Sequence, residues 1–215
     1  MNTNSNAGGI AALIQAACYL LGFAMLATVM NPGDTQGWSQ VQKLAFILDR
    51  QALFQSWNIL IYVVFGVALV VLSVTLHQLL EEGSIRLMSI ATPFGLIWAG
   101  LVIASGMVAS VGVSAMADMF TRSPEQAAAA WLVIGVIQDG LGGGVEVVGG
   151  IWVLLVSIAA LRSSVLPAAI NWLGIVVGVA GIATVVPALT VLGAVFGLSQ
   201  IIWFVAVGIA LLRHG

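Results

Sequence analysis

Long apolar runs separated by short polar clusters make up most of this chain. A helix needs about 20 mostly apolar residues to cross a bilayer, and the pattern predicts six such helices. The first runs from about Gly8 to Met30. The preceding MNTNSN has no Lys or Arg and the apolar run is long, so it reads as a retained helix rather than a signal peptide. The second and third, about Ala52 to Leu80 and Leu87 to Met116, are joined by a polar turn containing Glu81, Glu82, Gly83 and Arg86. Pro93 falls in the first turns of the third, where a missing N–H costs least. The stretch from Ala127 to Leu161 is too long for one simple crossing at about 1.5 Å per residue. It is expected to start outside the lipid, to loosen at Gly140 to Gly144, and to end as a span at Arg162. The fifth and sixth cover about Leu166 to Leu189 and Thr190 to Leu212.

The first long loop has its own pattern. Pro32 and Gly33 break the helix. Trp38, Val41, Leu44, Ala45 and Leu48 then recur at amphipathic spacing, predicting a short helix at the membrane interface. The fold class expected is an all-α integral membrane protein. It is a single domain over residues 1–215, with six transmembrane helices in one bundle and a short interfacial helix.

Composition agrees with the pattern. Hydrophobic residues make up 61% of the chain and charged residues 7%, against roughly 25% charged in a soluble domain. The mean hydropathy is +1.14. The outer surface must therefore meet membrane lipid. A formal charge of −2 with no basic cluster gives no reason to expect a nucleic-acid partner. Lys43, Arg50 and Arg122 fall on one side of the predicted topology and Arg86, Arg162 and Arg213 on the other, so the charge count leaves orientation open. Arg162 and Arg213 sit directly at span ends in very short loops, which favours cytoplasmic termini. The lone Cys18 excludes an intrachain disulfide. Two histidines supply neither a bis-histidine haem pattern nor a zinc or iron set. Phosphate-binding loops, GxSxG, HExxH and cysteine pairs are missing, so no cofactor and no familiar enzyme class is indicated.

Candidate chemistry lies on three stripes. Read as one helix, Gly135, Asp139, Gly142, Glu146 and Gly149 fall at offsets 0, 4, 7, 11 and 14, all on one face. Carboxylates inside a span are costly and normally face protein or a water-filled cavity. Gln51, Gln55, Asn58 and Tyr62 form a second stripe, and Gly193, Gly197 and Gln200 a third. Glu146 lies sixteen residues before Arg162, about 24 Å along a helix, which places it in the outer half of the bilayer. The expectation is a polar cavity walled by spans two, four and six and opening outward. Arg50 is the natural counter-ion for Asp139. Glu146, deeper and without an obvious cation, is the candidate for a proton-carrying acid. The plainer alternative is that Glu146 bonds to Gln55, Asn58 or Gln200 and serves helix packing alone. Trp203 and Trp152 fall deep enough to line a pocket.

Other features are more local. His77 and Glu81, one turn apart, suggest an ion pair. Gly174 and Gly178, and Gly106 with Ser110 and Ser114, are close-packing faces within the subunit or between subunits.

The segments GGIAALIQAACYLLGF, RSSVLPAAINWLGIVVGVAG and GLSQIIWFVAVGIALL resemble a family of small multi-pass bacterial membrane proteins, defined by a domain of unknown function, number 4386. The resemblance covers most of the chain. It implies a bacterial inner (plasma) membrane protein and implies no activity. In that family the last span tends to carry a glutamate shortly before a tryptophan. Here Gln200 stands three residues before Trp203, so this chain lacks that charge, and Glu146 is the candidate substitute.

Three functions follow from these readings. The first is a pocket near Glu146 and Asp139 that holds a small apolar or cationic ligand or a proton. The second is an accessory subunit of a larger membrane complex, docked through the small-residue faces. The third is an intramembrane enzyme that protonates an isoprenoid-like substrate. Two acids on one helix are not a catalytic motif, so the balance is against an enzyme.

Overall fold

The computed structural model describes residues 3–143 and 146–214, and all regular structure in them is helical. The helices are α1 (Thr3–Ala27), α2 (Gln40–Leu48), α3 (Gln51–Asn58), α4 (Phe65–Phe120), α5 (Pro124–Gln138), α6 (Val147–Ser163), α7 (Ala168–Ala183) and α8 (Leu192–His214). Wider π-helical turns follow α3 at Ile59–Val64 and α5 at Asp139–Gly143, and a 3₁₀ turn, Pro187–Leu189, precedes α8. Among the described residues four helical runs are long and apolar enough to cross a membrane: Ser5–Ala27, Gln51–Phe120, Pro124–Ser163 and Leu192–Arg213. Ala168–Ala183 is a shorter apolar helix.

Two of the long runs are not straight. Ser84, with φ −155° and ψ 46°, breaks α4 into two arms, 65–83 and 85–120. The arms fold back antiparallel. Gly66 packs on Ile103, Gly95 on Ser73, and His77 Nδ1 lies 2.8 Å from the Thr92 hydroxyl. The turn expected between 81 and 86 is thus a single non-helical residue. Pro93 lies inside the second arm.

α1, α6, α7 and α8 close a ring with these arms. α1 packs on the first arm at Gly8 and Thr75, and α6 on the second at Gly149 and Trp98. α7 packs on α6 through Gly150 and Gly178, and α8 on α7 through Gly181 and Phe196. α8 returns to α1, where Ser5 Oγ donates to the Leu211 carbonyl at 2.9 Å. Glycine at these crossings lets backbones touch. A methyl on Gly150 would stand 2.6 Å from the Ile182 nitrogen and 2.7 Å from the Gly178 oxygen, distances no side chain tolerates.

The centre of the ring is aromatic. Trp152 and Trp203, at 0% and 1% exposure, meet edge-on with centroids 5.7 Å apart. Trp98, Phe65 and Phe204 extend the cluster. Leu20, Val111, Val176 and Ile202 are among the large apolar residues left exposed on the outside, as lipid contact requires.

The amphipathic segment forms α2. Ser39 and Gln42 close a reciprocal cap, with Gln42 N to Ser39 Oγ at 3.2 Å and Ser39 N to Gln42 Oε1 at 2.8 Å. Its apolar side is taken up by protein. Leu44 is fully buried against Met116, Ala127 and Ala128, so α2, the end of α4 and α5 form a small cap on the bundle.

Candidate functional site

Three interruptions of the helices meet at one level of the ring. They are the π-helical turn 59–64, the break between α5 and α6, and the connection from α7 to α8. Each gives up regular backbone pairing where neighbouring helices would otherwise pack continuously. π-helical turns are rare, and they are frequent at functional sites. Between them lies a cavity of about 490 Å³, within the range of roughly 300–1,000 Å³ typical of small-molecule sites.

The break beside Glu146 has local causes. Gly142 adopts φ +129°, a conformation open only to glycine, and ends the helical path. Glu146 then precedes the first turn of α6. Its backbone N–H donates to Thr184 Oγ1 at 2.9 Å, and the Thr184 hydroxyl donates to the Gly181 carbonyl at 2.7 Å. That relay ties the start of α6 to the end of α7 and holds Glu146 at the cavity wall.

The opposing walls are ring systems. Tyr19 and Phe23 of α1, Trp57 of α3, Tyr62 of the π turn, and Phe65 and Trp98 of the two α4 arms all line the space. Tyr19 meets Phe65 edge-on with centroids 5.4 Å apart, and Phe65 meets Trp98 at 5.6 Å. Phe65 and Trp98 are buried and form the floor, whereas Phe23, Leu26, Thr190 and Ala194 are exposed and form the rim. The mouth therefore lies between the end of α1 and the start of α8. Glu146 is the single acidic residue among the described lining residues, which include no Lys, Arg or His.

The predicted site residues divide sharply. Glu146 and Tyr62 line the cavity, and so do Gly193 and Gly197 of the third stripe. Gln200, on the same stripe, lies fully buried, with both ends of its amide lacking a partner. The amides of the second stripe turn away from the acid. Gln55 Nε2 donates to Ser114 Oγ at 2.8 Å and to the Ser110 carbonyl at 3.0 Å, and Gln51 Nε2 to Ser114 Oγ at 3.3 Å. Asn58 donates to the Phe54 carbonyl at 2.8 Å and accepts from Gln138 Nε2 at 3.4 Å. These bonds hold α3 against α4 and α5.

Four expectations are corrected. The five-residue stripe from Gly135 to Gly149 presumes one continuous helix, and the break at Asp139–Gly143 ends it; Gly144 lies outside the described residues. Asp139 is exposed and is not among the residues that line the cavity. Arg50 does not serve Asp139: its Nη1 pairs with Asp49 at 3.1 Å, and its guanidinium sits 4.1 Å over the Phe46 ring. Trp203 belongs to the packed core, with its Nε1 and Ser157 Oγ both turned towards Gly174. The small-residue faces are also used internally, Gly174 and Gly178 against α6, and Gly106 against Tyr62. By contrast the His77–Glu81 pair forms as expected, at 3.1 Å.

Sequence reasoning missed the α1 wall. Cys18, Tyr19, Gly22 and Leu26 follow helical spacing and all line the cavity. That stripe was readable, but without charge it does not differ from a lipid-facing one.

Long apolar helices, four of them able to cross a membrane among the described residues, mark this chain as a helical membrane protein. The chain belongs to the family described as a domain of unknown function, DUF4386, whose model matches residues 7–213. No curated protein and no solved structure matches it.

Proposed function

We propose that this chain is a single-domain, multi-pass protein of the bacterial inner membrane, crossing six times, that holds a small lipophilic ligand in the cavity beside Glu146. The crossings are α1, the two arms of α4, the α5–α6 run, α7 and α8. The exposed apolar residues around the ring support that topology. Ser5 and Leu211 meet at one end, which supports both termini lying on the same side.

One observation carries the functional reading. A cavity of about 490 Å³, walled by rings and one carboxylate, opens between α1 and α8 through a rim of Phe23, Leu26 and Ala194 with Thr190. A ligand dissolved in the bilayer reaches such a mouth without crossing water. The accessory-subunit alternative draws less support, because the faces reserved for a partner are occupied within the chain. An enzyme acting on an apolar substrate draws less support, because two acids on one segment were the basis for it and Asp139 does not line the cavity.

Extraction of the full chain in native-lipid discs, followed by mass spectrometry of bound small molecules, tests this reading. The wild type should retain a compound at about one per chain, and Gly193→Leu, which projects a side chain into the space, should lose it. Identical small-molecule profiles for the two proteins would sink the proposal.

A further inference from the structure

We infer that the ligand of this cavity is an organic cation carrying apolar groups, with its charge held between Glu146 and the surrounding rings. This rests on the cavity reading above and goes further by fixing the chemical class. Among the described residues no donor pairs with the Glu146 carboxylate; the hydrogen bond to Thr184 is made by its backbone N–H. Arg50, expected beside Asp139, is paired with Asp49 and stacked on Phe46, and no Lys, Arg or His is among the described lining residues. A half-buried carboxylate set among rings and left unpaired is costly, and a bound cation removes that cost.

The walls favour a particular kind of cation. Six rings, from Tyr19, Phe23, Trp57, Tyr62, Phe65 and Trp98, border the space. Ring faces attract ammonium groups, and aromatic cages with an acid are the usual answer to quaternary or alkylated amines. A bare metal cation is a poor match, since hard cations require about six or more oxygen ligands at short range. A neutral hydrocarbon would fill the volume and leave Glu146 without a partner. The exposed rim of Phe23, Leu26 and Ala194 suits the apolar substituents of an amphipathic cation arriving from the bilayer.

A matched pair of probes tests the charge by itself. Benzyltrimethylammonium and its uncharged carbon analogue, neopentylbenzene, have nearly the same shape. Binding of each to the purified full chain in lipid discs is measured by calorimetry, with Gly193→Leu as the filled-cavity reference. The cation should bind one per chain, about tenfold or more tightly than the analogue. Glu146→Gln should lose that preference while still binding the analogue as the wild type does, which shows that it is folded. Glu146→Asp should keep part of the preference. Equal binding of both probes, unchanged in Glu146→Gln, would overturn the cation inference and leave the cavity reading standing. Failure of both probes to bind above the Gly193→Leu level would overturn both.

Discussion

The α6–α7 seam and the α1–α8 seam are both rich in glycine, and they come out differently. Along α6–α7, Gly150, Gly174, Gly178 and Gly181 bring backbones and side chains into direct contact, leaving no room for a methyl. Along α1–α8, Gly9 and Gly208 make the same kind of contact at one end. At the other end the seam opens. A methyl on Gly193 would find its nearest atom 3.9 Å away, and one on Gly197 would meet only ordinary neighbours at 3.5 and 3.7 Å. A small residue thus permits close approach without causing it. The partner decides, and at Gly193 and Gly197 no partner comes close.

The sharpest way to break this comparison is to load the tight seam. Gly150→Val places methyls against the Ile182 nitrogen and the Gly178 oxygen. It should lower stability by on the order of 3 kcal/mol, the upper end of overpacking costs. The check is the unfolding midpoint in mixed micelles. Little change would mean the α6–α7 contact is looser than described. Trp152→Ala empties the ring centre and should cost a similar amount, about 3–5 kcal/mol, read in the same assay.

The effect should shrink at the open seam. Glu146→Gln should stay within about 1 kcal/mol of wild-type stability, because its carboxylate holds no other element in place. Its consequence should appear in probe binding instead. A large stability loss would identify Glu146 as a packing residue after all. Gly135→Ala, in α5, adds a methyl that meets nothing within 4 Å. Helix propensity alone should make it more stable by up to about 1 kcal/mol. The smallest effect belongs to Asp139→Asn. This side chain is exposed, so stability should move by no more than about 0.5 kcal/mol and cation binding should not change. A loss of binding equal to that of Glu146→Gln would return the two acids to one site.

Much of the architecture was readable before any coordinates. Apolar run lengths announce helices, and Glu81 to Arg86 marks the place where α4 turns back, because polar side chains there cannot lie in lipid. The lengthy segment after Ala127 had to break somewhere, and its glycine cluster showed where. The pairing of His77 with Glu81 follows from spacing alone. The same spacing logic failed beyond Asp139. Helical offsets hold only while the helix continues, and Gly142 at φ +129° rotates everything after it.

The sequence by itself determined that this protein is helical and apolar outside, and that it carries two acids, Asp139 and Glu146, in a segment otherwise suited to lipid. Those properties depend on composition and local periodicity, which each segment carries alone. Only the tertiary structure decided that Glu146 faces rings from α1, α3 and α4 rather than the amides of α3, and that Asp139 and Arg50 stay apart. Which side chains share a cavity depends on how separate helices rotate and where they break. Contacts between residues distant in the chain, such as Glu146 with Thr184, set those rotations.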